Sequence, residues 1–451
     1  MKSDIVIIGG GASGLMAAYN AARTASNAGR SIQVTVLEKM PRPGRKIMIT
    51  GKGRCNFTNA KEWNEFSGHI RSKSNFVKSA FHALPPSSVI DFFESFGVRT
   101  VVERGDRAFP SSYHASDIVD ALVNACHSVG VKIMTEAEVT DLSFSDTFTV
   151  FLADGTKFLT RKLIIATGGL SYPTTGSTGD GYRWAGIAGH RIEPTFPSLT
   201  ALVPEGYKIS ETKLKGHIDR STPLSEYGAM LCGIQLKNVN LTLTIDGNDV
   251  ETEFGDIDFT DGGIEGPVGF QLSRKAVKAM INGSKAALRL DLKAGVGLTE
   301  LTARVKELWQ EVDRDLRSRN LREKEKCRIL LGKLMPWDLI PAFCAAHPEI
   351  ITLERRGRTD TKVWVNLVSI AKALKEWNFR LAGYVGYERA VVTAGGVSTD
   401  EIIAKTMESR LVTGLYFCGE LMDLDSDTGG YNLQTAFCSG YLAGESAAKS
   451  L

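Results

Sequence analysis

The sequence predicts an α/β protein whose parallel sheet is interrupted by an inserted domain that is β-rich and then helical. Three observations lead to this fold class. A β-branched apolar run at residues 5–8 leads directly into a Gly-x-Gly-x-x-Gly pattern. Short apolar runs that end in glycine recur at 163–169 and 414–420. Between about 194 and 391 the sequence is broken by prolines, alternates in hydropathy and then turns helical, which is typical of a separate domain.

The opening stretch has the spacing of a dinucleotide-binding turn. Gly9 allows the tight turn from strand to helix, Gly11 lets the backbone approach a pyrophosphate, and Gly14 lets the helix pack on the strand. A helix over 15–28 and a strand over 32–37 are expected next. Glu38 follows that strand, where a carboxylate accepts hydrogen bonds from an adenosine ribose. The alternative is a strand-turn-helix with coincidental glycines.

A basic loop punctuated by glycine and proline follows this acid. Its cations are Arg42, Arg45, Lys46, Lys52 and Arg54. The loop is either a solvated segment or a cover across the cofactor cleft, and we favour the second because it follows Glu38 directly. There the cations would neutralise phosphates or stabilise a reduced flavin. Cys55 has no second cysteine at dithiol spacing, which favours a buried thiol over a redox residue.

The rest of the first region alternates between helical and extended spacing. Helices are expected over 74–84, 87–96 and 116–129, and strands over 98–103, 107–110 and 132–135. Residues 148–152 and 157–159 read as a hairpin around Asp154-Gly155. A separate short strand at 163–165 then ends in Ala-Thr-Gly-Gly, and Thr178-Gly-Asp-Gly opens a helix. This order resembles the flavoproteins of the fumarate reductase and succinate dehydrogenase group.

The predicted insert runs from Pro194 to about Val391. Alternating residues at 239–245 and 250–254 flank Asp246-Gly247, which indicates a small antiparallel sheet or barrel. The first of two later stretches, 299–331, is expected to be helical and heavily charged, and the second, 363–377, is amphipathic. The first carries a basic segment at 314–328 that is a candidate contact for ribosomal RNA. Interspersed acids favour a solvated helix face instead.

The last region returns to cofactor chemistry. An apolar strand at 414–418 ends in Gly419-Glu420, and Gly429-Gly430 opens a helix. A carboxylate, a glycine pair and a helix N-terminus together face an anion, and helix amides stabilise a reduced flavin that carries negative charge. A plain strand-helix unit is the alternative.

Several motifs together resemble one family. They are Gly-Gly-Gly-Ala-Ser-Gly at 9–14, Pro-Gly-Arg-Lys-Ile at 43–47, Gly-Lys-Gly-Arg-Cys-Asn-Phe-Thr-Asn at 51–59, Thr-Ala-Gly-Gly-Val at 393–397 and Gly-Gly-Tyr-Asn-Leu-Gln at 429–434. The chain resembles the bacterial NAD(P)/FAD-dependent oxidoreductases of the aminoacetone-oxidase and bile-acid-reductase type. The resemblance implies a glutathione-reductase-like, Rossmann-type FAD-binding domain at 1–193 and 392–451, interrupted by a β-barrel-like plus helical domain at 194–391.

These motifs and the resemblance assign the site residues. The catalytic candidates are Arg54, Arg45 and Tyr431, and Tyr172 is a further tyrosine beside a cofactor motif. No metal site is expected. The residues expected to bind FAD are Gly9, Gly11, Ala12, Ser13, Gly14, Glu38, Lys39, Arg45, Lys46, Gly53, Arg54, Cys55, Asn56, Val139, Thr167, Gly168, Gly169, Gly419, Glu420, Gly430, Tyr431, Asn432 and Leu433.

One motif departs from the family. Where its members carry Phe-Thr-His-x-Gly-x-Ser-Gly-Pro, this chain has Asp261 in place of the histidine and Glu265 in place of the serine. A proton donor and a hydroxyl thereby become two acids. If the loop faces the substrate, the family's activity is in doubt for this chain, whereas a structural loop would tolerate the change.

The resemblance leaves three functions open. The favoured one is reduction of an activated C=C bond, in an enone or a uracil, with hydride from NAD(P)H. An amine or amino-ketone oxidase that uses oxygen is the second, because no other Gly-x-Gly-x-x-Gly follows a strand. A flavoprotein that binds RNA or a partner without turnover is the third. A net formal charge of +3 gives no global signal for nucleic acid.

Composition also bears on the compartment. The seven cysteines are scattered without Cys-x-x-Cys spacing, which favours a reducing environment. No stretch has the roughly 18 consecutive apolar residues of a membrane span. We therefore expect a cytoplasmic enzyme without a membrane partner, acting on a small molecule or an RNA base.

Overall fold

The computed structural model describes residues 1–145, 147–209, 216–356 and 360–451, with the backbone alone at 354–356 and 360–362. These residues form two compact units. The larger unit contains Met1–Ser198 and Tyr387–Leu451, and the smaller contains Leu199–Gly386. The smaller unit therefore begins and ends a few residues away from the expected boundaries: it covers 199–386, whereas we expected 194–391.

The first segment of the larger unit alternates strands with helices. Its strands are β1 (Lys2–Ile8), β2 (Val34–Leu37), β3 (Thr58–Asn59), β4 (Thr100–Glu103), β5 (Arg107–Pro110), β6 (Lys132–Met134), β7 (Val139–Ser143), β8 (Phe148–Leu152), β9 (Lys157–Ile165) and β10 (Ile192–Ser198). Its helices are α1 (Ala12–Asn27), α2 (Arg45–Met48), α3 (Trp63–Phe66), α4 (Ser74–Ala83), α5 (Pro86–Ser95), α6 (Ala115–Ser128) and α7 (Asp180–Ile187).

The smaller unit follows, and the chain then completes the larger one. The strands of the smaller unit are β11 (Leu202–Pro204), β12 (Gln235–Ile245), β13 (Asn248–Thr260), β14 (Gly263–Glu265), β15 (Ala286–Asp291), β16 (Ile351–Arg356), β17 (Asp360–Val365) and β18 (Trp377–Tyr384). Its helices are α8 (Glu226–Leu231), α9 (Gly266–Ile281), α10 (Leu298–Arg314), α11 (Glu323–Gly332), α12 (Ile340–Ala346) and α13 (Leu367–Lys375). The last segment of the larger unit contains β19 (Val392–Val397), β20 (Ile402–Ile403), β21 (Glu408–Ser409), β22 (Leu415–Phe417) and α14 (Gly429–Lys449).

The main sheet of the larger unit has the strand order β20-β21-β22-β9-β1-β2-β6. The strands at its centre are parallel, with Val6 of β1 between Thr35 of β2 and Leu163 of β9. β1 and β9 are rich in isoleucine and buried along their last residues, as expected for strands covered on both faces. The carboxyl ends of β1, β9 and β22 therefore meet at one edge, where ligands of open α/β sheets bind.

The hairpin and the apolar strand before residue 165 are one element. We expected a hairpin strand at 157–159 and a separate strand at 163–165, which is wrong. β9 runs through both, pairing with β8 antiparallel from Lys157 to Thr160 and with β22 parallel from Leu163 to Ile165. One strand can do this because its two halves pair with different partners along its length.

Close packing of small residues joins α1 to α14. A Cβ on Gly440 would overlap the carbonyl oxygen of Ser13, and a Cβ on Gly444 would overlap that of Ala17. The two helices therefore approach each other more closely than larger side chains would allow. Through this contact the last helix of the chain is fixed to the first.

The smaller unit is built on a closed antiparallel barrel. Its strand order is β11-β14-β13-β12-β15-β18, and β12 and β13 form the expected hairpin with a turn at Asp246-Gly247. Leu241, Leu243 and Leu288 point from this barrel into its core. The predicted fold class, a Rossmann-type domain with a barrel-like and helical insert, is confirmed.

The structure divides two stretches of this unit into separate elements. The charged stretch at 299–331 divides into α10 and α11, because Asp315 caps a short 3-10 turn and Arg322 with Glu325 caps the second helix. The amphipathic stretch at 363–377 gives a helix only from Leu367, since residues 363–365 belong to β17. The basic segment at 314–328 therefore covers two helix ends and the turn between them.

Candidate functional site

A cleft of about 1240 Å³, including the open space at its mouth, lies at the carboxyl edge of the main sheet, within the larger unit. It is bordered by the ends of β1, β9 and β22 and by the first turns of α1 and α14. The residues that we expected at a cofactor and that line this cleft are Gly9, Gly11, Ala12, Ser13, Glu38, Lys39, Arg45, Lys46, Val139, Thr167, Gly168, Gly419, Glu420, Asn432 and Leu433.

The three glycines of the first motif occupy different environments. Gly9 has φ of +107°, and a Cβ there would lie 2.5 Å from the Ala166 carbonyl oxygen. A Cβ on Gly14 would overlap the Gly9 carbonyl oxygen, so this residue permits the helix to pack against the turn. Gly11 faces open space, and a Cβ there would meet no atom within 4 Å among the described residues. Space at Gly11 lets a ligand approach the backbone at the start of α1.

Glu38 is a buried acid at the end of β2. Its carboxylate accepts hydrogen bonds from the backbone N–H of Gly10 (2.7 Å) and of Met40 (2.8 Å). Burial raises the pKa of Glu38, and these hydrogen bonds oppose that effect without cancelling it. The acid thus fixes the glycine turn while its side chain lines the cleft.

A polar network crosses the cleft around Glu420. One carboxylate oxygen accepts hydrogen bonds from Ser171 Oγ (2.6 Å) and from the backbone N–H of Thr393 (2.9 Å). The other forms an ion pair with Lys46 Nζ (2.6 Å), which also contacts Ser171 Oγ (2.7 Å). A Cβ on Gly169 would clash with Thr393 and Glu420, so glycine is required beside this network. Four separate segments are held together by one acid.

The start of α14 is held by a second polar network. The Asn432 side chain donates to the carbonyl oxygens of Ser426 and Thr428 and accepts the backbone N–H of Ser426, at 2.9 to 3.0 Å. Just before the helix, buried Asp427 pairs with His69 Nδ1 (2.9 Å) and with Arg71 Nε. These contacts fix the first turn of α14, whose Gly429 and Asn432 line the cleft.

Some of the expected cofactor residues lie outside the cleft lining. Asn56 packs on Gly430, where a Cβ would lie 2.7 Å from its amide, and it therefore supports the start of α14 from behind. Cys55 is fully buried, and burial raises the pKa of its thiol to about 12, so it carries no thiolate at neutral pH. The remaining ones outside the lining are Gly14, Gly53, Arg54, Gly169, Gly430 and Tyr431.

The catalytic candidates are placed differently from one another. Arg45 lines the cleft. The Arg54 guanidinium stacks on the rings of Phe109 and Tyr113, at 4.7 and 4.4 Å, and pairs with Glu103 (2.9 Å).

The two candidate tyrosines do not line the cleft. Tyr431 is buried, and its ring stacks on His69 at 4.3 Å; burial raises the pKa of its hydroxyl. The backbone N–H of Tyr172 donates to the carbonyl oxygen of Tyr387 (2.8 Å). In the smaller unit, the Asp261 carboxylate is half exposed and lies 3.9 Å from Arg220, whereas Glu265 is buried at the end of β14.

One cleft wall was missed by the sequence analysis. Residues 175–177, Asp180 and Trp184 line the cleft, and Lys39 Nζ pairs with Asp180 (2.7 Å). Burial raises the pKa of Asp180, but hydrogen bonds from Lys39 and Thr178 outweigh it and leave the pKa lowered. The Thr178-Gly-Asp-Gly motif was the available signal. The other cleft residues without an assignment were Ile8, Leu37, Gly44, Ile47, Thr50, Ala137, Ala166, Val391, Val392, Leu424, Thr435 and Ala436.

The lining fits a dinucleotide. Three of its polar atoms, Thr167 Oγ1, Trp184 Nε1 and Thr435 Oγ1, are buried without a hydrogen-bond partner among the described residues. Two helix N-termini without side-chain caps border the space, and both favour negative charge. Arg45 forms no ion pair within the described part of the chain, so its charge is available to an anionic ligand. The cleft therefore suits a ligand in which a pyrophosphate joins two aromatic groups, because it offers open space at Gly11, unpaired polar atoms and two positive helix ends.

A Rossmann-type sheet with two helix N-termini at such a cleft is typical of dinucleotide-binding oxidoreductases. The chain belongs to the family described as HI0933-like protein Rossmann domain, whose model matches residues 3–446. It is 31% identical to a 3-dehydro-bile acid delta(4,6)-reductase of Clostridium scindens over 99% of both chains. It is 29% identical to a ribosomal RNA dihydrouridine synthase of Escherichia coli, covering 100% of this chain and 99% of the relative.

A third relative is the ribosomal RNA dihydrouridine synthase of Haemophilus influenzae, 30% identical over 97% of both chains. The predicted family and the predicted FAD-dependent oxidoreductase are confirmed. Within the described ranges, no helix combines the length and the apolar character needed to cross a membrane. All seven cysteines are free thiols.

Proposed function

We propose that this protein uses FAD and NAD(P)H to reduce a carbon–carbon double bond conjugated to a carbonyl group. The full-length likeness to three named reductive enzymes carries the proposal. One is named for reducing double bonds of a 3-dehydro-bile acid, and two are named for forming dihydrouridine. An enone and a uracil share the unit C=C–C=O, so one chemistry serves both.

The residues that would hold FAD follow from the cleft. Backbone N–H groups at Ala12 and Ser13 would bind the pyrophosphate at the start of α1, and Glu38 would accept hydrogen bonds from the ribose. Glu420 and the first turn of α14 would face the flavin half of FAD. Bound FAD supplies the group that accepts hydride from NAD(P)H and passes it on.

The remaining chemistry concerns charge and protons. Hydride addition to one carbon of C=C–C=O places negative charge on the carbonyl oxygen, and one proton must then be added at the other carbon. Lys46 and Arg45, which line the cleft, would stabilise that charge, as would the N-terminus of α14. Lys46 Nζ, which donates a hydrogen bond to Glu420 (2.6 Å), would supply that proton.

The structure favours neither of the other two functions. Three of the seven cations of the segment 314–328 pair with acids of the same unit: Arg317 with Asp315, Arg322 with Glu325 and Lys326 with Asp313. Such pairing leaves less charge for phosphates of RNA. An oxidase would use the same cleft and is distinguished by experiment. We place the reaction in the cytoplasm, where NAD(P)H is available and free thiols are stable.

Anaerobic stopped-flow spectroscopy tests the proposal. The FAD-loaded protein is mixed with NADH or NADPH, and the loss of the oxidised flavin band is followed. The reduced protein is then mixed with a 3-oxo-delta-4 bile acid or with a uridine-containing RNA hairpin. We expect one nicotinamide to bleach the flavin and one acceptor to restore it, with product heavier by two hydrogens.

Two outcomes would contradict this. Reoxidation by oxygen alone, with hydrogen peroxide formed and an amine as the reductant, would identify an oxidase. Failure of both nicotinamides would remove the source of hydride. Lys46→Met should slow the acceptor step by about 10²-fold. Lys449→Met, which removes an exposed lysine paired with Glu445, is the matched control and should change nothing.

A further inference from the structure

Tyr182 carries a buried hydroxyl without a hydrogen-bond partner in the described part of the chain. The residue lies in the first turns of α7, and its ring packs on β19, where a Cβ on Gly396 would lie 3.2 Å from ring Cε1. The hydroxyl oxygen is shielded from solvent. An unpaired buried hydroxyl lowers stability, and native proteins contain few of them. A ligand or a bound water is the natural partner.

The surroundings of this hydroxyl are polar. The carboxylates of Glu420 and Asp423 and the hydroxyl of Tyr387 lie close enough to act on it electrostatically. Burial, together with these groups, raises the pKa of Tyr182 well above its usual value, so the hydroxyl stays protonated. The other acids of the packed elements are engaged elsewhere: Glu193 of β10 with Arg191, and Asp180 of α7 with Lys39.

Glu420 connects this hydroxyl to the cleft. Its carboxylate pairs with Lys46 Nζ and accepts hydrogen bonds from Ser171 and Thr393, and both Glu420 and Lys46 line the cleft. Among the described residues no direct hydrogen bond joins Tyr182 to Glu420, so a link between the two side chains requires a bridging water. The buried hydroxyl therefore lies within electrostatic reach of the carboxylate that pairs with Lys46 at the cleft.

We propose that Tyr182 is a positioning residue for the Glu420–Lys46 pair and acts through a water bound by its hydroxyl. This inference rests on the proposed function. Each turnover takes one hydride from NAD(P)H and one proton from solvent. Lys46 gives its proton to the anion left by hydride addition, and the resulting amine regains a proton through Glu420 and the water held by Tyr182.

The test compares Tyr182→Phe with the wild type, both loaded with FAD. Because the hydroxyl has no partner among the described residues, Y182F should fold and unfold at the same or a higher urea concentration. The flavin is reduced with dithionite under argon, and its absorbance is recorded from about pH 5.5 to 9. We expect the midpoint of this absorbance change to move by about one pH unit in Y182F relative to the wild type. This measurement needs no acceptor, so it does not depend on the substrate.

The acceptor step gives the second measurement. Reoxidation by the enone or uridine acceptor should slow about tenfold in Y182F and lose its solvent isotope effect. In the Glu420→Gln background, Y182F should add nothing further, because both changes then interrupt the same path. Tyr416→Phe removes another buried hydroxyl, one bonded to Ser450 (3.0 Å), and should leave both pH profiles unchanged.

Unchanged flavin titration and reoxidation in Y182F would overturn the inference. So would additive effects of Y182F and E420Q. If no acceptor reoxidises the wild-type enzyme, the proposed function fails, while the dithionite titration still decides the role of Tyr182. If Y182F fails to fold, Tyr182 is a structural residue and the inference is wrong.

Discussion

The two helix N-termini at the cleft are held by different physical means. The start of α1 is held by packing: Gly14 touches the turn that begins at Gly9, and Gly440 of α14 packs against Ser13. The start of α14 is held by polar contacts. Asn432 bonds to the segment before it, and Asp427 pairs with His69 and Arg71.

This difference sets how each end responds to change. A packed interior tolerates almost no added volume, but it depends little on groups that titrate. A polar network accepts small changes of volume, but each of its members depends on a partner that stays charged or correctly oriented. We therefore expect larger side chains to destabilise the start of α1. At the start of α14 we expect the loss of a hydrogen-bond or ion-pair partner to be destabilising.

The largest effect is expected at Gly14. Gly14→Ala would place a methyl group 1.9 Å from the Gly9 carbonyl oxygen, so the helix and the turn must separate to accept it. We expect a loss of about 3 kcal/mol or more and little folded protein. Circular dichroism and urea unfolding measure this. Gly11→Ala is the matched control, since its φ of −84° suits alanine and its side chain meets open space.

The control also separates folding from binding. G11A should keep the wild-type unfolding midpoint in the protein without FAD, yet bind FAD more weakly, because the methyl group occupies the space in front of the backbone. Equal stability of G14A and wild type would show that packing does not hold this helix start. Unchanged FAD affinity in G11A would show that the ligand does not approach there.

The next effect is expected at Asp427. Asp427→Asn leaves the charge of Arg71 without its buried partner, and we expect a loss of about 3 kcal/mol in the free energy of unfolding. The exposed pair Lys61–Asp106 (3.3 Å) provides a control, and Asp106→Asn should cost less than about 1 kcal/mol. Similar losses in D427N and D106N would mean that the α14 start does not depend on this acid.

A smaller effect is expected at Asn432. Asn432→Ala removes the hydrogen bonds to Ser426 and Thr428 but leaves the charges at Asp427 in place. We expect a loss of about 1–2 kcal/mol and weaker retention of FAD on gel filtration. If FAD is retained as in the wild type while stability falls, the polar contacts support the fold and not the site.

The same contrast explains what the sequence could reveal. The α1 end is encoded locally, because strand, glycines and helix follow one another within residues 5–28, and each glycine has a role that spacing alone indicates. The glycine pair and helix of the α14 end were equally visible. The fold class followed from these repeated units.

The sequence did not indicate which residues form ion pairs with one another at the cleft and at the start of α14. His69 and Arg71 pair with Asp427 across 358 and 356 residues of chain, and Lys39 pairs with Asp180 across 141. No local pattern encodes a partner at such distances, because charged residues are common on any surface. Likewise, no local pattern indicates that Arg54 stacks on Phe109 and Tyr113.

The smallest effect concerns Glu38, the titrating group beside the packed α1 end. Burial raises its pKa above the usual 4.5, against hydrogen bonds from Met40 and Gly10. Its contribution to stability is therefore fully present below pH 4.5 and is lost as pH rises through the folded-state pKa. Glu38→Gln removes this titration. Without FAD, the stability of E38Q should fall less, or rise more, than that of the wild type over this window. Urea unfolding from about pH 4 to 7 measures the free energy of unfolding of both proteins as a function of pH. Parallel curves for E38Q and wild type would show that the pKa of Glu38 is the same in the folded and unfolded protein.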